Sequence, residues 1–145
     1  MNGQQLKSII TKDRCLQEHF HGIFARDQVP TCLMPGFFIW NNDLYSGKGE
    51  HWLAVFVSDN YKVEFFDSFG HSPQYYGWNI KGDVDFNKKS LQSPDSDVCG
   101  MYCIYFLYFR CRGLGMSSIV ADFSSDSRRN DDYVRQFVKN MYRRW

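Results

Sequence analysis

The stretch HWLAVFVSDNYKVEFFDSFG, residues 51–70, constrains the fold of this chain more than any other. It holds two runs rich in β-branched and aromatic residues, His51–Val57 and Tyr61–Phe66, and the polar residues 58–60 between them predict a compact turn. The alternating sets of the first run are both apolar: Trp52, Ala54 and Phe56 on one face, and Leu53, Val55 and Val57 on the other. This strand is therefore predicted to lie inside a sheet that is covered on both faces.

Helical patterns lie on both sides of this hairpin. Residues 4–12 carry apolar side chains at helical spacing and predict a short N-terminal helix. Val98–Cys111 is apolar on nearly every side, which predicts a central buried helix that ends near Gly113. A last amphipathic helix is predicted from Asp131 to Trp145, with Asn130 as its N-cap.

The remaining segments complete the predicted fold class. Gly36–Asn42 is predicted as a strand, residues 43–50 as a loop, and residues 70–89 as a loop with at most one strand. Strands flanked by helices, with a hairpin of neighbouring strands, predict an α+β fold. A chain of 145 residues with 43% apolar and 18% aromatic residues is expected to form one domain over residues 1–145.

The charge of the chain does not indicate a nucleic-acid partner, because the net charge is only +1. The C-terminal end is nevertheless basic, through Arg128, Arg129, Arg135, Lys139, Arg143 and Arg144. We interpret these residues as a solvated helix face and keep a weak nucleic-acid contact as the alternative.

The cellular environment is predicted from what the sequence lacks. No run is apolar enough to span a bilayer, and the N-terminus has no signal-peptide design, so we expect no membrane partner and a reducing compartment. In such a compartment the cysteines are expected to be free thiols, which applies to Cys15, Cys32, Cys99, Cys103 and Cys111.

Cys99 is the cysteine whose position suits chemistry. It falls in the first turn of the buried helix, after Ser96-Asp97, which we expect to cap that helix. The positive end of a helix favours a thiolate and lowers the pKa of a thiol. Cys103 and Cys111 lie deeper in the apolar run and are interpreted as small core residues.

A nucleophilic thiolate needs a base and a group that orients the base. His51 stands at the end of a strand, whereas His19 and His21 are expected in an early loop and His71 follows a turn. Asp67 ends the neighbouring strand of the hairpin, and antiparallel pairing brings it within side-chain reach of His51. Asp67 could then fix the imidazole tautomer.

Gln92 completes the candidate constellation. It lies in the polar loop LQSPDSDVCG ahead of Cys99, and its amide together with the Cys99 backbone N–H would form an oxyanion hole. Each residue taken alone also has a purely structural interpretation, as a strand-end histidine, a turn aspartate or a loop glutamine. The order His, Asp, Gln, Cys on a hairpin, a loop and a helix start favours the catalytic interpretation.

A second group of residues has the composition of a metal site. Cys15, His19 and His21 have a spacing that could hold zinc, but a fourth ligand is not evident. We therefore predict no metal and no required cofactor.

The motifs HW, FFDSFG, Q and CGMYC resemble those of adenain, the adenovirus-type maturation cysteine proteases, within the group that includes the SUMO-specific peptidases. The resemblance covers roughly residues 5 to 110. It implies a papain-like fold in which a small mixed sheet is packed by a central buried helix and flanking helices. It also implies His51 as general base, Asp67 as its orienting acid, Gln92 as oxyanion donor and Cys99 as nucleophile. Trp52 matches the aromatic residue that lines the substrate channel.

The function implied by this resemblance is a cysteine endopeptidase, viral or virus-derived, that cleaves capsid or core precursors at Gly-containing sites. Its setting would be the nucleus or cytoplasm of a host cell and the virion. The alternatives are a deubiquitinase-like peptidase for a SUMO-type modifier and an inactive binding module of the same fold. The intact set of four residues argues against the inactive module.

Two departures from the family concern activators. The family uses a peptide tethered through a cysteine upstream of the glutamine, but residues 61–98 contain no cysteine. It also uses DNA and is strongly basic, whereas this chain has a net charge of +1. The tether for an activating peptide is therefore missing, and only the C-terminal arginines support activation by DNA.

Overall fold

The computed structural model describes residues 1–43 and 51–143. Residues 44–50, most of the predicted loop, and residues 144–145, at the predicted end of the last helix, lie outside the described residues. In chain order the helices are α1 (Gly3–Lys12), α2 (Arg14–Glu18), α3 (Cys99–Cys111), α4 (Met116–Ala121) and α5 (Ser127–Arg143). The strands are β1 (Phe20–Phe24), β2 (Gly36–Asn41), β3 (Trp52–Val57), β4 (Val63–Phe66) and β5 (Val84–Phe86).

The strands of the described chain form one mixed sheet in the order β1-β2-β3-β4-β5. The pairs β2–β3 and β3–β4 are antiparallel, and the edge strands β1 and β5 run parallel to their neighbours. The predicted hairpin is therefore the centre of the sheet. The predicted α+β class is confirmed, with β5 as the single strand in residues 70–89.

Strand β3 has an apolar layer on each face, as its alternation predicts. Ala54 is fully buried on the helix side with Trp52 and Phe56 packed around it. Leu53 and Val55 face a second cluster, which is covered by aromatic side chains such as Tyr76 and Trp78 from the segment between β4 and β5. Because β3 is packed on both faces, the residue at its end is held in a fixed place.

Helix α3 is the central helix of the larger apolar layer. Its residues from Tyr102 to Leu107 are buried, and it packs across β3 and against α5. The Phe106 ring stacks on the Phe66 ring of β4, with centroids 4.6 Å apart. This packing fixes the first turn of α3 relative to the ends of β3 and β4.

One predicted helix cap and one predicted helix start are wrong. Helix α3 is not capped by Ser96-Asp97: Val98 occupies the N-cap position without a side-chain cap, because the Ser96 hydroxyl bonds to Ser93 O instead. Helix α5 begins at Ser127, one turn earlier than predicted, where Asp126 Oδ1 accepts the first backbone N–H groups. Asn130, predicted as that N-cap, lies inside the helix and is buried.

Within the described part of the chain, no helix is both long enough and apolar enough to cross a membrane.

Candidate active site

A cleft of about 490 Å³ opens where the first turn of α3 meets the ends of β3 and β4. Four of the five predicted site residues line it, namely His51, Trp52, Gln92 and Cys99. The fifth, Asp67, is fully buried behind His51. Residues that are far apart in the chain are thus brought together at one point by the hairpin and the central helix.

The open end of the hairpin places the imidazole against the carboxylate. His51 Nε2 lies 2.7 Å from Asp67 Oδ1, and both side chains are buried. Because Nε2 faces Asp67, Nδ1 is the ring nitrogen left for the Cys99 thiol, which lines the same cleft. The imidazole and the thiol interact closely enough to shift each other's pKa. Cys99, His51 and Asp67 therefore form one series of interacting side chains.

The Asp67 carboxylate accepts from several donors. Besides His51, the backbone N–H of Phe69 donates to Oδ1, while the N–H of His71 and the Tyr76 hydroxyl donate to Oδ2 at 3.0 and 2.6 Å. Burial alone would raise the pKa of Asp67, but these hydrogen bonds and the charge of His51 outweigh it and lower the pKa. Asp67 therefore stays ionised.

The backbone of Asp67 is fixed as firmly as its side chain. Asn87 Oδ1 accepts the Asp67 N–H at 2.9 Å, and Asn87 Nδ2 donates to the Asp67 carbonyl. The next turn closes at Gly70, whose φ is +77° and whose absent Cβ would lie 2.7 Å from the Lys89 backbone. A residue with a side chain would clash there, which explains the glycine in FFDSFG.

The thiol and the imidazole have opposite pKa shifts. Burial lowers the pKa of His51, but hydrogen bonds and charge from Asp67 and Cys99 outweigh it and raise the pKa to about 9. Burial raises the pKa of Cys99, but the imidazole and the backbone N–H groups of Trp52 and Gly100 outweigh it, so the pKa lies below its usual value. At neutral pH the arrangement favours a thiolate–imidazolium pair.

The loop of Gln92 is anchored on two elements. The Ser68 hydroxyl donates to Gln92 Oε1 at 2.6 Å, and Gln92 Nε2 donates to the carbonyl of Ser96 at 3.0 Å. From α5, the Asp131 carboxylate accepts the Ser93 N–H and the Tyr102 hydroxyl. The C-terminal helix thus supports the loop, a contribution that its sequence does not reveal.

The Cys99 backbone N–H belongs to the first turn of α3, where such groups have no acceptor within the helix. Gln92 and this N–H border the same cleft. Both are candidate donors to the carbonyl oxygen of a substrate bound beside the sulfur.

Trp52 closes the cleft on the side of α1. Its indole Nε1 donates to the Met1 carbonyl at 3.0 Å, and its backbone N–H donates to Cys99 Sγ at 3.4 Å. A Cβ on Gly100 would lie 3.2 Å from the Leu6 side chain and 3.4 Å from the indole, so a larger residue beside the nucleophile would require Leu6 to shift by a few tenths of an ångström. Trp52 therefore borders both the sulfur and the open part of the cleft.

Sequence reasoning missed the residues that support this site. Tyr76, Asn87 and Ser68 act through hydrogen bonds to Asp67 or Gln92. Phe69, stacked on the His51 ring with centroids 4.9 Å apart, was also missed. The only available signal was that Ser68 and Phe69 directly follow Asp67 in FFDSFG.

The zinc alternative finds no support among residues 1–43 and 51–143, which hold no group of three or more potential metal ligands. His21, expected in a loop, lies in β1, and its Nε2 is 2.7 Å from the Pro35 carbonyl. The Cys15 thiol donates to the Cys111 carbonyl at 3.3 Å. All five cysteines are free thiols.

No protein-family model matches the chain. Its sequence is similar to a protein assigned as a thiol protease in Acanthamoeba polyphaga mimivirus, with 31% identity over 99 residues, covering 58% of this chain and 32% of that protein. It is also similar to the protease of human adenovirus B serotype 3, with 26% identity over 131 residues, covering 72% of this chain and 60% of the protease. The chain thus spans between a third and three fifths of these relatives, and the predicted resemblance is confirmed.

Solved structures show the same fold. The Chlamydia trachomatis effector Cdu1, solved bound to ubiquitin, matches with a TM-score of 0.52 and 19% identity over 74% of this chain and 60% of Cdu1. ChlaDub1 from Chlamydia trachomatis matches with a TM-score of 0.52 and 15% identity over 95% of this chain and 76% of that chain. The chain therefore has the adenain-like, papain-like cysteine protease fold.

Proposed function

We propose that this chain is a cysteine endopeptidase in which Cys99 attacks a peptide carbonyl. The observation that carries this proposal is the His51–Asp67 hydrogen bond together with Cys99, His51 and Gln92 lining one open cleft. A buried cysteine with a purely structural role would have a raised pKa, as Cys103 has. Cys99 has the opposite shift.

The reaction follows from the positions of these groups. The Cys99 thiolate adds to the carbonyl carbon, and the negative oxygen is held by Gln92 Nε2 and the Cys99 N–H. The His51 imidazolium then gives its proton to the leaving amine as the C–N bond breaks, which leaves a thioester. His51, now neutral, takes a proton from water, whose oxygen attacks the thioester and releases the acid and the thiolate.

Asp67 keeps the imidazole in place through this cycle. Its four donors hold the carboxylate ionised, so the imidazolium that forms beside it is stabilised by charge. Because Asp67 is fully buried, the stabilisation is weakly screened by solvent.

The proposed substrate is a protein, and within that class a viral capsid or core precursor cut near glycine. The similarity to two viral proteases supports this choice, as does Trp52 at the edge of the cleft. The setting would be the nucleus or cytoplasm of an infected cell and the virion.

A second candidate is a peptidase that acts on a ubiquitin-like modifier. One observation favours it: a protein of the same fold, Cdu1, has been solved bound to ubiquitin. The chemistry at Cys99 would be the same, and only the surface around the cleft would differ.

A nucleic-acid activator has little support in the charges of α5. Arg135 pairs with Asp132 at 3.0 Å, and Arg128 borders a cavity that is also lined by Asp95 and Asp97. Acidic groups beside the basic ones weaken the attraction of phosphates.

The test compares two probes on the purified chain. One is a peptide from a viral precursor containing glycine at the cut site, and the other is a ubiquitin-like protein with a C-terminal vinyl sulfone. We expect peptide cleavage that is lost in Cys99→Ala. Labelling by the modifier probe without peptide cleavage would favour the second candidate, and activity that survives in Cys99→Ala would contradict both.

A further inference from the structure

Ser68 directly follows Asp67 but faces a different partner. It is 1% exposed, and its hydroxyl donates to Gln92 Oε1 at 2.6 Å. Two consecutive residues directly after β4 thus contact the two catalytic groups. Asp67 bonds to the base, His51, and Ser68 bonds to the oxyanion donor, Gln92.

Ser68 also holds the backbone of the glutamine. Its carbonyl accepts the N–H groups of Leu91 and Gln92 at 2.8 and 3.0 Å. With the hydroxyl contact, Ser68 makes two hydrogen bonds to Gln92, one at the main chain and one at the far end of the side chain. Both ends of the Gln92 side chain are therefore fixed relative to β4.

The direction of the amide decides what Gln92 can do. The two ends of a primary amide have similar shapes, but only Nε2 can donate to a negative oxygen, and Oε1 would repel it. The Ser68 hydroxyl is bonded to Oε1, while Nε2 donates to the carbonyl and the hydroxyl of Ser96 at 3.0 and 3.1 Å. The donor end therefore lies toward Ser96, which lines the cleft together with Cys99.

We propose that Ser68 is a positioning residue for the reaction, and that its hydroxyl keeps the Gln92 amide directed toward the oxyanion. This inference rests on the proposed function, because it assigns Ser68 a part in the same reaction. Without the hydroxyl, Oε1 would be left buried without its donor, and the amide would gain other orientations.

The test uses Ser68→Ala in the full chain with a fluorogenic peptide amide ending in Gly-Gly. We expect kcat to fall on the order of 10-fold with KM unchanged, less than the ~10²-fold loss for removal of a whole oxyanion donor. Alkylation of Cys99 by iodoacetamide should keep its rate and its pH profile, because displacement of iodide forms no oxyanion. A parallel loss of alkylation would mean a structural role and overturn the inference.

A double-mutant comparison isolates the coupling to the glutamine. In the Gln92→Ala background, Ser68→Ala should change kcat by no more than about 2-fold, because its partner is absent. An equal loss in both backgrounds would overturn the inference. Ser68→Thr, which keeps a hydroxyl, should recover most of the kcat provided that its thermal unfolding matches wild type.

Ser93→Ala is the matched control, since Ser93 is also buried in this loop but its hydroxyl bonds to Asp95. We expect its kcat to stay within about 2-fold of wild type. A wild-type chain that hydrolyses no peptide would overturn the proposed function together with this inference. Hydrolysis that Ser68→Ala leaves unchanged would overturn the inference alone.

Discussion

Asp67 Oδ1 lies 2.7 Å from His51 Nε2, across the open end of the β3–β4 hairpin. This contact leaves Nδ1 as the ring nitrogen available to the sulfur, because the imidazole has only two nitrogens and Asp67 occupies Nε2. The buried carboxylate also keeps the ring protonated when the thiol is ionised.

Removal of the nucleophile should separate chemistry from stability. Cys99→Ala is expected to abolish peptide hydrolysis with little change in thermal unfolding, because it removes one sulfur at the edge of the cleft. The matched control is Cys103→Ala, which lies in the same helix at 1% exposure. It should keep activity and lose about 1 kcal/mol of unfolding free energy. Full hydrolysis by the Cys99 variant would exclude the assigned nucleophile.

The opposite pKa shifts predict a broad pH window. Ionisation of Cys99 starts below its ordinary pKa of about 8.5, and the His51 pKa is raised to about 9. kcat/KM should therefore fall on the acid side as the thiolate is protonated, and on the alkaline side near pH 9 as the imidazolium loses its proton. The measurement is a pH series of kcat/KM together with iodoacetamide alkylation.

His51→Ala is the control for that profile. Without the imidazole, alkylation of Cys99 should need a higher pH, with its midpoint moving toward about 8.5. A profile identical to wild type would mean that the imidazole does not ionise the thiol.

The oxyanion donor should affect kcat more than binding. Gln92→Ala is expected to lower kcat by about 10²-fold and leave KM nearly unchanged, because the amide meets the oxygen only once it becomes negative. Steady-state kinetics on the peptide amide would measure both constants. An unchanged kcat would leave Gln92 as a structural loop residue.

Tyr76 should contribute through Asp67. Tyr76→Phe removes the hydroxyl that donates to Asp67 Oδ2 at 2.6 Å. We expect a loss of about 1.5–3 kcal/mol of unfolding free energy, the range for hydrogen bonds to charged groups, with activity reduced but present. Tyr75→Phe is the control, because Tyr75 is 65% exposed and its ring stacks on His71. An equal loss in both variants, measured by urea unfolding, would contradict a specific role for Tyr76.

Several helices and strands were predicted correctly from the local sequence pattern. The apolar alternation in residues 52–57 gave the central strand and its two covered faces, and the apolar run in residues 99–111 gave the buried helix. The helix starts were harder. Serine is a residue type that commonly caps helices, yet the Ser96 hydroxyl bonds to Ser93 O. Residue type alone does not show which of these two hydrogen bonds a serine will make.

The hairpin, the buried helix and the order of the four candidate residues were predictable from local pattern, because periodicity and turn chemistry act over neighbouring positions. The folded chain was needed to show that Ser68 bonds to Gln92, that Tyr76 and Asn87 fix Asp67, and that α5 supports the glutamine loop. These contacts join separate segments, and their partners depend on how the helices pack on the sheet. A hydrogen bond needs placement to within a few tenths of an ångström, and packing alone supplies that precision.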